Sequence, residues 1–306
     1  MKKVLLATEK PFAAPAVTGI RKVFSDAGYE LSVLEKYTGQ EPLIQAVKVV
    51  NAMIIRSDVI DRNVIEQAPN LKIVVRAGAG YDNIDLNACT EKGVVAMNTP
   101  GQNSNAVAEL LFGMMLYTAR KQFNGDSGTE LREKSIGIHG FGWVGRYVAA
   151  IAKGFGMKIH AYDPYVDATV FEKEGVTGHK DLQSLYESCQ FITLHIPLTD
   201  TTKESVNYSL LSKMPKGATL INTARKEVIS ESSLLQMFEE RNDFTYLADV
   251  QPDCAQKIAI LYPGRYLFTP KKMGAQTEEA NNNAGIAAAK QIVNFFEKGD
   301  VSCKVN

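Results

Sequence analysis

The chain has 306 residues, 45% of them hydrophobic and 22% charged, which suits two soluble domains at roughly 150 residues each. Its 34 Lys and Arg balance 34 Asp and Glu. That zero net charge argues against a basic nucleic-acid footprint and against an acidic disordered tail. No apolar run reaches the roughly 18 residues that span a bilayer. Cys89, Cys189, Cys254 and Cys303 lie far apart, without CxxC or metal-ligand spacing. They are expected to be four reduced thiols in a cytoplasmic protein, with no membrane, metal or nucleic-acid partner.

Elements follow in chain order. The apolar stretch Val4–Ala7 after two lysines is too short for a signal peptide and reads as a first buried strand. Further Val/Ile-rich runs at Ala52–Arg56, Ile73–Arg76 and Val94–Met97 complete a first strand–helix series. Ala106–Arg120 reads as one long apolar helix, and the turn-rich Asn124-Gly-Asp-Ser-Gly breaks the pattern. A second series runs through Ile136–His139, Lys158–Tyr162, Phe191–His195, Thr219–Asn222 and Tyr246–Val250. The Ala-rich stretch Glu278–Lys298 is helical and long enough to cover a sheet face. Continuous rather than alternating apolar runs suit parallel strands buried on both faces, so the fold class is α/β with doubly wound parallel sheets.

The strongest local signal is Gly140-Phe-Gly142-Trp143-Val144-Gly145. It follows a strand, opens a helix, and precedes a second strand that ends at Asp163, 18 residues after Gly145. In that context the three glycines serve a tight turn, a close backbone approach to a pyrophosphate, and close helix–strand packing. The helix N-terminus then offers unpaired N–H groups to phosphate. Asp163 would accept hydrogen bonds from the ribose hydroxyls and repel a 2′-phosphate, which favours NAD over NADP.

With these motifs in view, the chain resembles the D-isomer-specific 2-hydroxyacid dehydrogenase family. The likeness runs through Arg76-Ala-Gly-Ala-Gly-Tyr-Asp-Asn-Ile-Asp85, Asn98-Thr-Pro-Gly-Gln-Asn-Ser-Asn-Ala-Val-Ala-Glu109, the glycine turn and Leu194-His-Ile-Pro-Leu-Thr-Asp-Thr-Thr202. It continues in Leu220-Ile-Asn-Thr-Ala-Arg225, Ala248-Asp-Val250 and Thr269-Pro-Lys-Lys-Met-Gly-Ala-Gln-Thr277. Within that family it is most similar to the phosphoglycerate-oxidising members, in a short form without a regulatory domain. The resemblance implies a Rossmann NAD domain (98–278) inserted into a flavodoxin-like substrate domain (1–97 with 279–306), with a cleft between them for nicotinamide and substrate.

Hydride transfer at a 2-hydroxy acid needs a cation on the carboxylate and C2 oxygen, and an acid/base for the hydroxyl proton. By resemblance Arg225 is the cation, and its guanidinium suits a carboxylate. The family's His–Glu acid/base pair is absent. The loop reads Thr269-Pro-Lys271-Lys272-Met-Gly274-Ala275, and Cys254 stands at the Glu position. Counting back from Gly274 gives Lys272 as the acid/base, and counting forward from Thr269 gives Lys271. Some phosphoglycerate-oxidising members carry a lysine there. A lysine needs no Glu partner to donate a proton, and it must shed one before it can serve oxidation, so oxidation is expected to accelerate toward alkaline pH. The other reading of the missing pair is a non-catalytic NAD-sensing module.

For the substrate carboxylate, the resemblance implies the N–H groups of Ala77 and Gly78, helped by Asn103. Arg56, with Ser57, would meet a substrate phosphate, or Arg56 is only a strand-end surface charge. Arg76 is expected to brace the glycine loop. Around NAD, Val107 would touch the nicotinamide ring and Thr223, Ala224 and Asp249 its carboxamide, with Asp249 alternatively a buried strand-end acid. His195, Pro197 and Thr202 would follow the ribose and pyrophosphate. His139 and His160 are expected to be packed or edge residues, and His179 to sit in a polar turn. The expected reaction is oxidation of D-3-phosphoglycerate to 3-phosphohydroxypyruvate in serine biosynthesis, with a glyoxylate- or hydroxypyruvate-type reductase as the alternative. A homodimer through the long helix is expected, with a shortened arm at Lys121–Glu130.

Overall fold

A computed structural model describes all residues, Met1–Asn306. The first part of the chain forms β1 (Lys3–Thr8), α1 (Ala14–Asp26), β2 (Glu30–Glu35), α2 (Glu41–Val47), β3 (Ala52–Ile55), α3 (Arg62–Glu66), β4 (Ile73–Arg76), α4 (Leu86–Glu91) and β5 (Val95–Asn98). The middle begins with α5 (Ser104–Ala119), β6 (Ser135–His139), α6 (Trp143–Gly154), β7 (Lys158–Tyr162), α7 (Ala168–Glu174), β8 (Thr177–Gly178) and α8 (Leu182–Ser188). It continues through β9 (Phe191–Leu194), α9 (Tyr208–Leu211), β10 (Thr219–Asn222), α10 (Glu231–Glu240), β11 (Thr245–Ala248), α11 (Ala255–Leu261) and β12 (Tyr266–Phe268), and the chain closes with α12 (Glu278–Lys298).

Two compact units result: Met1–Asn103 with Gln276–Asn306, and Ser104–Ala275. Residues 98–103 and 276–278, expected in the inserted unit, group with the first. Thr99 donates its N–H to Gly78 O, and Thr277 caps α12 by accepting from Ala280 N–H, so each stretch is tied to the first unit's own elements.

In the first unit the strand order is β2-β1-β3-β4-β5, all parallel, which is the flavodoxin-like order. Val4, Leu6, Ile54, Ile73 and Val75 point to one face, under α1 and α12; Leu5, Ala7, Met53, Ile55 and Val74 point to the other. Alternate residues of each strand are therefore apolar on both sides, as a sheet covered twice requires. Gly19 of α1 and Gly285 of α12 let those helices meet closely. A Cβ on Gly19 would come within 2.6 Å of Ile286 Cδ1, and one on Gly285 within 2.9 Å of Ile20 Cδ1.

The second unit is a seven-stranded parallel sheet in the order β12-β11-β10-β9-β6-β7-β8. β6 is followed outward by β7 and β8 on one side and by β9, β10 and β11 on the other, so the order reverses beside β6, as in a Rossmann domain. Ligands in such sheets bind beyond the strand C-termini at that reversal. His139 ends β6 there, 5% exposed, with its Nδ1 hydrogen-bonded to the Tyr186 hydroxyl at 3.2 Å.

Burial pushes the His139 imidazole down to about 4 from its ordinary 6.5, and His195, desolvated beside it, down to about 3. Both are neutral in the fold and take protons only on unfolding as pH falls below about 6.5. Their stabilisation is thus complete above pH 6.5 and is lost progressively as pH falls toward 4. For His139 the difference amounts to about 3 kcal/mol at the acid end. The melting temperature should fall between pH 7 and pH 5, and His139→Gln should flatten that slope. An unchanged slope in the variant would show that His139 is not the titrating group.

Candidate functional site

The glycine turn follows β6 directly. Gly140 has φ +96°, and a Cβ there would meet His195 C and O at 2.9 Å, so no side chain is tolerated. A Cβ on Gly145 would lie 2.5 Å from Gly140 O, which lets α6 sit against the turn. Around Gly142, by contrast, a Cβ would meet nothing within 4 Å: this is open space in front of the α6 N-terminus. Gly142 is the N-cap and supplies no side-chain cap, so the N–H groups of Trp143, Val144 and Gly145 face outward without intrahelical acceptors. Asp163, just past β7, accepts from Phe141 N–H at 2.7 Å and from Tyr165 N–H at 2.9 Å. It fixes the turn and keeps lone pairs on both oxygens for further donors.

The two glycines therefore predict different outcomes. Gly145→Ala forces a methyl against the Gly140 carbonyl and should destabilise the fold by about 1–3 kcal/mol while weakening NAD binding. Gly142→Ala should leave the melting temperature almost unchanged and still weaken NAD binding at least tenfold, because its methyl fills the space beside the helix N-terminus. Calorimetric titration with NAD and thermal melts of both variants measure this; equal melting and equal affinity in the two would refute it.

On the neighbouring strand the backbone turns sharply after β10. Asn222 is buried and holds that turn from both sides: its Oδ1 accepts from Ala224 N–H at 2.9 Å, and its Nδ2 donates to Arg225 O at 2.9 Å. Arg225 is half-buried at the end of this clamp. Thr223, between them, has a buried hydroxyl with no hydrogen-bond partner.

Asp249, at the end of β11, is 1% exposed. Its carboxylate accepts from Thr269 Oγ1 at 3.0 Å, Met273 N–H at 2.7 Å and Gly274 N–H at 2.8 Å. One carboxylate thus anchors both ends of the loop that carries Lys271 and Lys272, both exposed. Of the two expectations for Asp249, the structure displays the buried strand-end acid, whose three donors make it a brace of the lysine loop. Val107, in the first turn of α5, lies over the same loop, its Cγ2 3.2 Å from where a Cβ on Gly274 would be.

His195 is half-buried, and its Nε2 shares a hydrogen bond with the buried Thr193 hydroxyl at 2.9 Å. Thr202 donates its hydroxyl to Pro197 O at 2.6 Å and accepts from Thr199 N–H at 2.8 Å, which closes the 197–202 loop. Cys254 starts α11 beside Glu231, whose carboxylate accepts Asp253 N–H at 2.5 Å and Cys254 N–H at 3.1 Å. Burial and that carboxylate push the Cys254 thiol up to about 12, so it stays protonated and is no substitute for the missing Glu.

In the first unit, Ala77 and Gly78 are not available as expected. Ala77 N–H is donated to Ile55 O at 2.8 Å, and Gly78 N–H to Arg76 O at 2.9 Å. The sheet and the tight turn consume both groups. The next N–H groups, of exposed Ala79 and half-buried Gly80, have no partner in the protein. Gly78 has φ +152°, and a Cβ there would fall 1.5 Å from Arg76 Nη1, so the Arg76 side chain lies across the turn, as expected of a brace. Arg76 Nε also donates to Arg56 O at 3.0 Å.

Arg56 is more than a surface charge. Its Nη1 donates to Lys10 O and Pro11 O at 3.3 and 3.2 Å, its Nη2 to Asn281 Oδ1 at 2.6 Å, and its guanidinium lies over the Phe12 ring. Ser57 is exposed next to it. Asp58, 4% exposed, accepts from Glu9 N–H, Arg56 N–H and the Tyr37 hydroxyl, and Asn83 donates to Arg56 O and Asp58 O. Asn103 lies half-buried at the end of this unit.

The D-isomer specific 2-hydroxyacid dehydrogenase NAD-binding domain matches residues 110–261. Over 290 residues the chain is 35% identical to the hydroxypyruvate reductase of Thermotoga maritima, covering 88% of this chain and 92% of that one. The chain belongs to the D-isomer-specific 2-hydroxyacid dehydrogenase family. It is also 37% identical over 283 residues to the D-3-phosphoglycerate dehydrogenase of Methanocaldococcus jannaschii, covering 86% of this chain but only 53% of that protein. Against the D-3-phosphoglycerate dehydrogenase of Rattus norvegicus the figures are 35% identity and 56% of its length, so the chain spans about half of these relatives. The crystal structure of NAD+-bound 3-phosphoglycerate dehydrogenase from Entamoeba histolytica superposes with a TM-score of 0.90 at 46% identity, covering all of this chain and 98% of that one.

This dehydrogenase-family chain carries the family's NAD-binding domain, and its residues fit the cofactor. The space before α6 suits a pyrophosphate, Asp163 retains acceptor capacity, and the orphaned Thr223 hydroxyl awaits a polar partner such as a carboxamide. No helix is long and apolar enough to cross a membrane.

Proposed function

We propose that the chain oxidises D-3-phosphoglycerate to 3-phosphohydroxypyruvate, a step of serine biosynthesis, using NAD. The observation that carries this reading is the pairing of a clamped Arg225, which follows β10, with a lysine loop that follows β12 and is pinned by Asp249 at the end of the adjacent β11. NAD, when bound, supplies the acceptor for the C2 hydride.

Arg225 holds the substrate carboxylate and the C2 oxygen, and its charge stabilises the alkoxide character that develops there. Lys272 Nζ takes the hydroxyl proton during oxidation and returns it during reduction. Lys272 is preferred to Lys271 because it adjoins Met273, whose N–H is fixed on Asp249, whereas Lys271 stands nearer the loop's middle. The free N–H groups of Ala79 and Gly80 replace those of Ala77 and Gly78 as carboxylate donors, with Asn103 assisting. Arg56 keeps two donors, Nε–H and one on Nη2, for a phosphate beside Ser57. Trp143, Val144 and Gly145 hold the pyrophosphate, Asp163 the ribose, and Val107, Thr223 and Ala224 the nicotinamide, with His195, Pro197 and Thr202 along the dinucleotide. The active form is assigned as a homodimer built on α5, which light scattering measures.

The likeness to a hydroxypyruvate reductase over 92% of its length supports a second reading, reduction of an unphosphorylated 2-keto acid. A panel of 2-keto acids, phosphorylated and not, assayed with NADH and NADPH, separates them. We expect turnover of 3-phosphohydroxypyruvate with NADH, at least a hundredfold slower turnover of hydroxypyruvate and glyoxylate, and little with NADPH. Comparable rates without the phosphate favour the reductase. NAD binding without turnover of any of these acids leaves only a sensing module.

A further inference from the structure

The sheet of the second unit has another end. β9, β10 and β11 begin at Phe191, Thr219 and Thr245, and these residues floor a cavity of about 420 Å³ walled by the last turn of α5 and the chain from Lys121 to Lys134. The strands are parallel, so this cavity lies at their N-terminal ends, while Arg225 and Asp249 follow their C-terminal ends. Four strand residues, roughly 13 Å, separate the two.

Two cations line it, Lys121 and Lys134, and no Asp or Glu does. Lys134 donates to the Thr129 hydroxyl and is in no ion pair; burial alone lowers its ammonium from the usual lysine range, with no carboxylate to offset that. Thr118 presents a buried hydroxyl with no partner, and Thr219 and Thr245 add further hydroxyls. Lys121 is held at the wall by an unusual turn: Lys121, Gln122 and Phe123 have φ of +48°, +57° and +57°, three successive left-handed residues without a glycine. Such conformations persist where surrounding structure imposes them, and they cluster at ligand sites.

We propose that this cavity is a second anion site, which binds a small phosphate monoester. Two ammonium groups and a ring of hydroxyls match the three acceptor oxygens and double charge of a phosphate, whereas a planar carboxylate is better served by an arginine fork, and none is present here. The volume exceeds that of the phosphate itself and leaves room for a short organic body. None of its residues belongs to the proposed catalytic set, so the site stands or falls independently of the reaction.

The test uses the full chain with NAD bound, titrated by calorimetry with inorganic phosphate and with glycerol 3-phosphate at constant ionic strength. The expected result is a class of binding that persists in the Arg225→Gln, Arg56→Gln double variant, whose substrate site is disabled, and that Lys134→Met added to it weakens at least tenfold, with glycerol 3-phosphate binding there more tightly than phosphate. A second readout needs no substitution: in protein carrying 13C-methylated lysines, the Lys134 resonance should move on adding phosphate, and its titration should shift to higher pH. Undiminished binding when Lys134→Met is added, loss of all binding in the double variant, or an unmoved Lys134 resonance overturns the assignment.

Discussion

Arg225→Gln is expected to lower kcat/KM by about 10²–10⁴ while leaving NAD affinity within a few-fold of the parent. Removing one partner of a buried charge-assisted pair costs about 2–5 kcal/mol, and each 1.4 kcal/mol is tenfold in rate. Arg225→Lys keeps the charge but not the planar fork, so it should recover only part of the loss. Asn222→Ala gives the sharper diagnosis. It removes no group proposed to touch substrate, yet it frees Ala224 N–H and Arg225 O from their shared clamp. The guanidinium then has to be ordered by the substrate itself, so KM should rise more than kcat falls. Steady-state kinetics with the phosphorylated keto acid, alongside NAD titration, measure all three. A fully active Arg225→Gln would remove the chain from this chemistry altogether.

The sequence made the interior strands readable and the sheet edges obscure, for one physical reason. Nine runs predicted as strands lie where β1, β3–β7 and β9–β11 form. The three strands not anticipated, β2, β8 and β12, are all edges of their sheets. β2 is Glu-Leu-Ser-Val-Leu-Glu, with none of its residues buried; β8 is only two residues long, and β12 is half-buried throughout. A strand with one neighbour and an open side needs no continuous apolar run. β5 is the instructive exception. It too is a sheet edge, but the C-terminal segment covers it: Val305 N–H donates to Ala96 O, and Ala96 N–H to Asn306 Oδ1. Buried from that side as well, β5 keeps an apolar core that the sequence discloses.

The site divides in the same way. Glycine spacing disclosed the turn after β6 because a steric demand falls on single residues. Which N–H groups of the Gly78 turn remain free was not legible, because strand pairing decides which donors remain, and Ala77 is still bonded to β3. Asn222, Asp58, Asn83 and Glu231 gave no signal of their own. Each acts through hydrogen bonds to backbone that only the folded chain brings near.

Lys272→Ala should lower kcat by about 10²–10⁴, the range of a general acid–base group, with Lys271→Ala costing less than tenfold. The reverse ranking of the two variants would move the acid/base one residue toward the middle of the loop. Asp249→Asn then tests how the lysine is held. Its carboxylate accepts two backbone N–H groups and one hydroxyl, and an amide nitrogen can accept from none of them. One of the two oxygens becomes a donor facing a donor, so the loop loses either the Gly274 N–H bond or those of Thr269 and Met273. A fall in kcat with an undisturbed NAD affinity would therefore come from a displaced lysine, whereas a lost NAD affinity would return Asp249 to the cofactor and leave the loop to be positioned by other contacts.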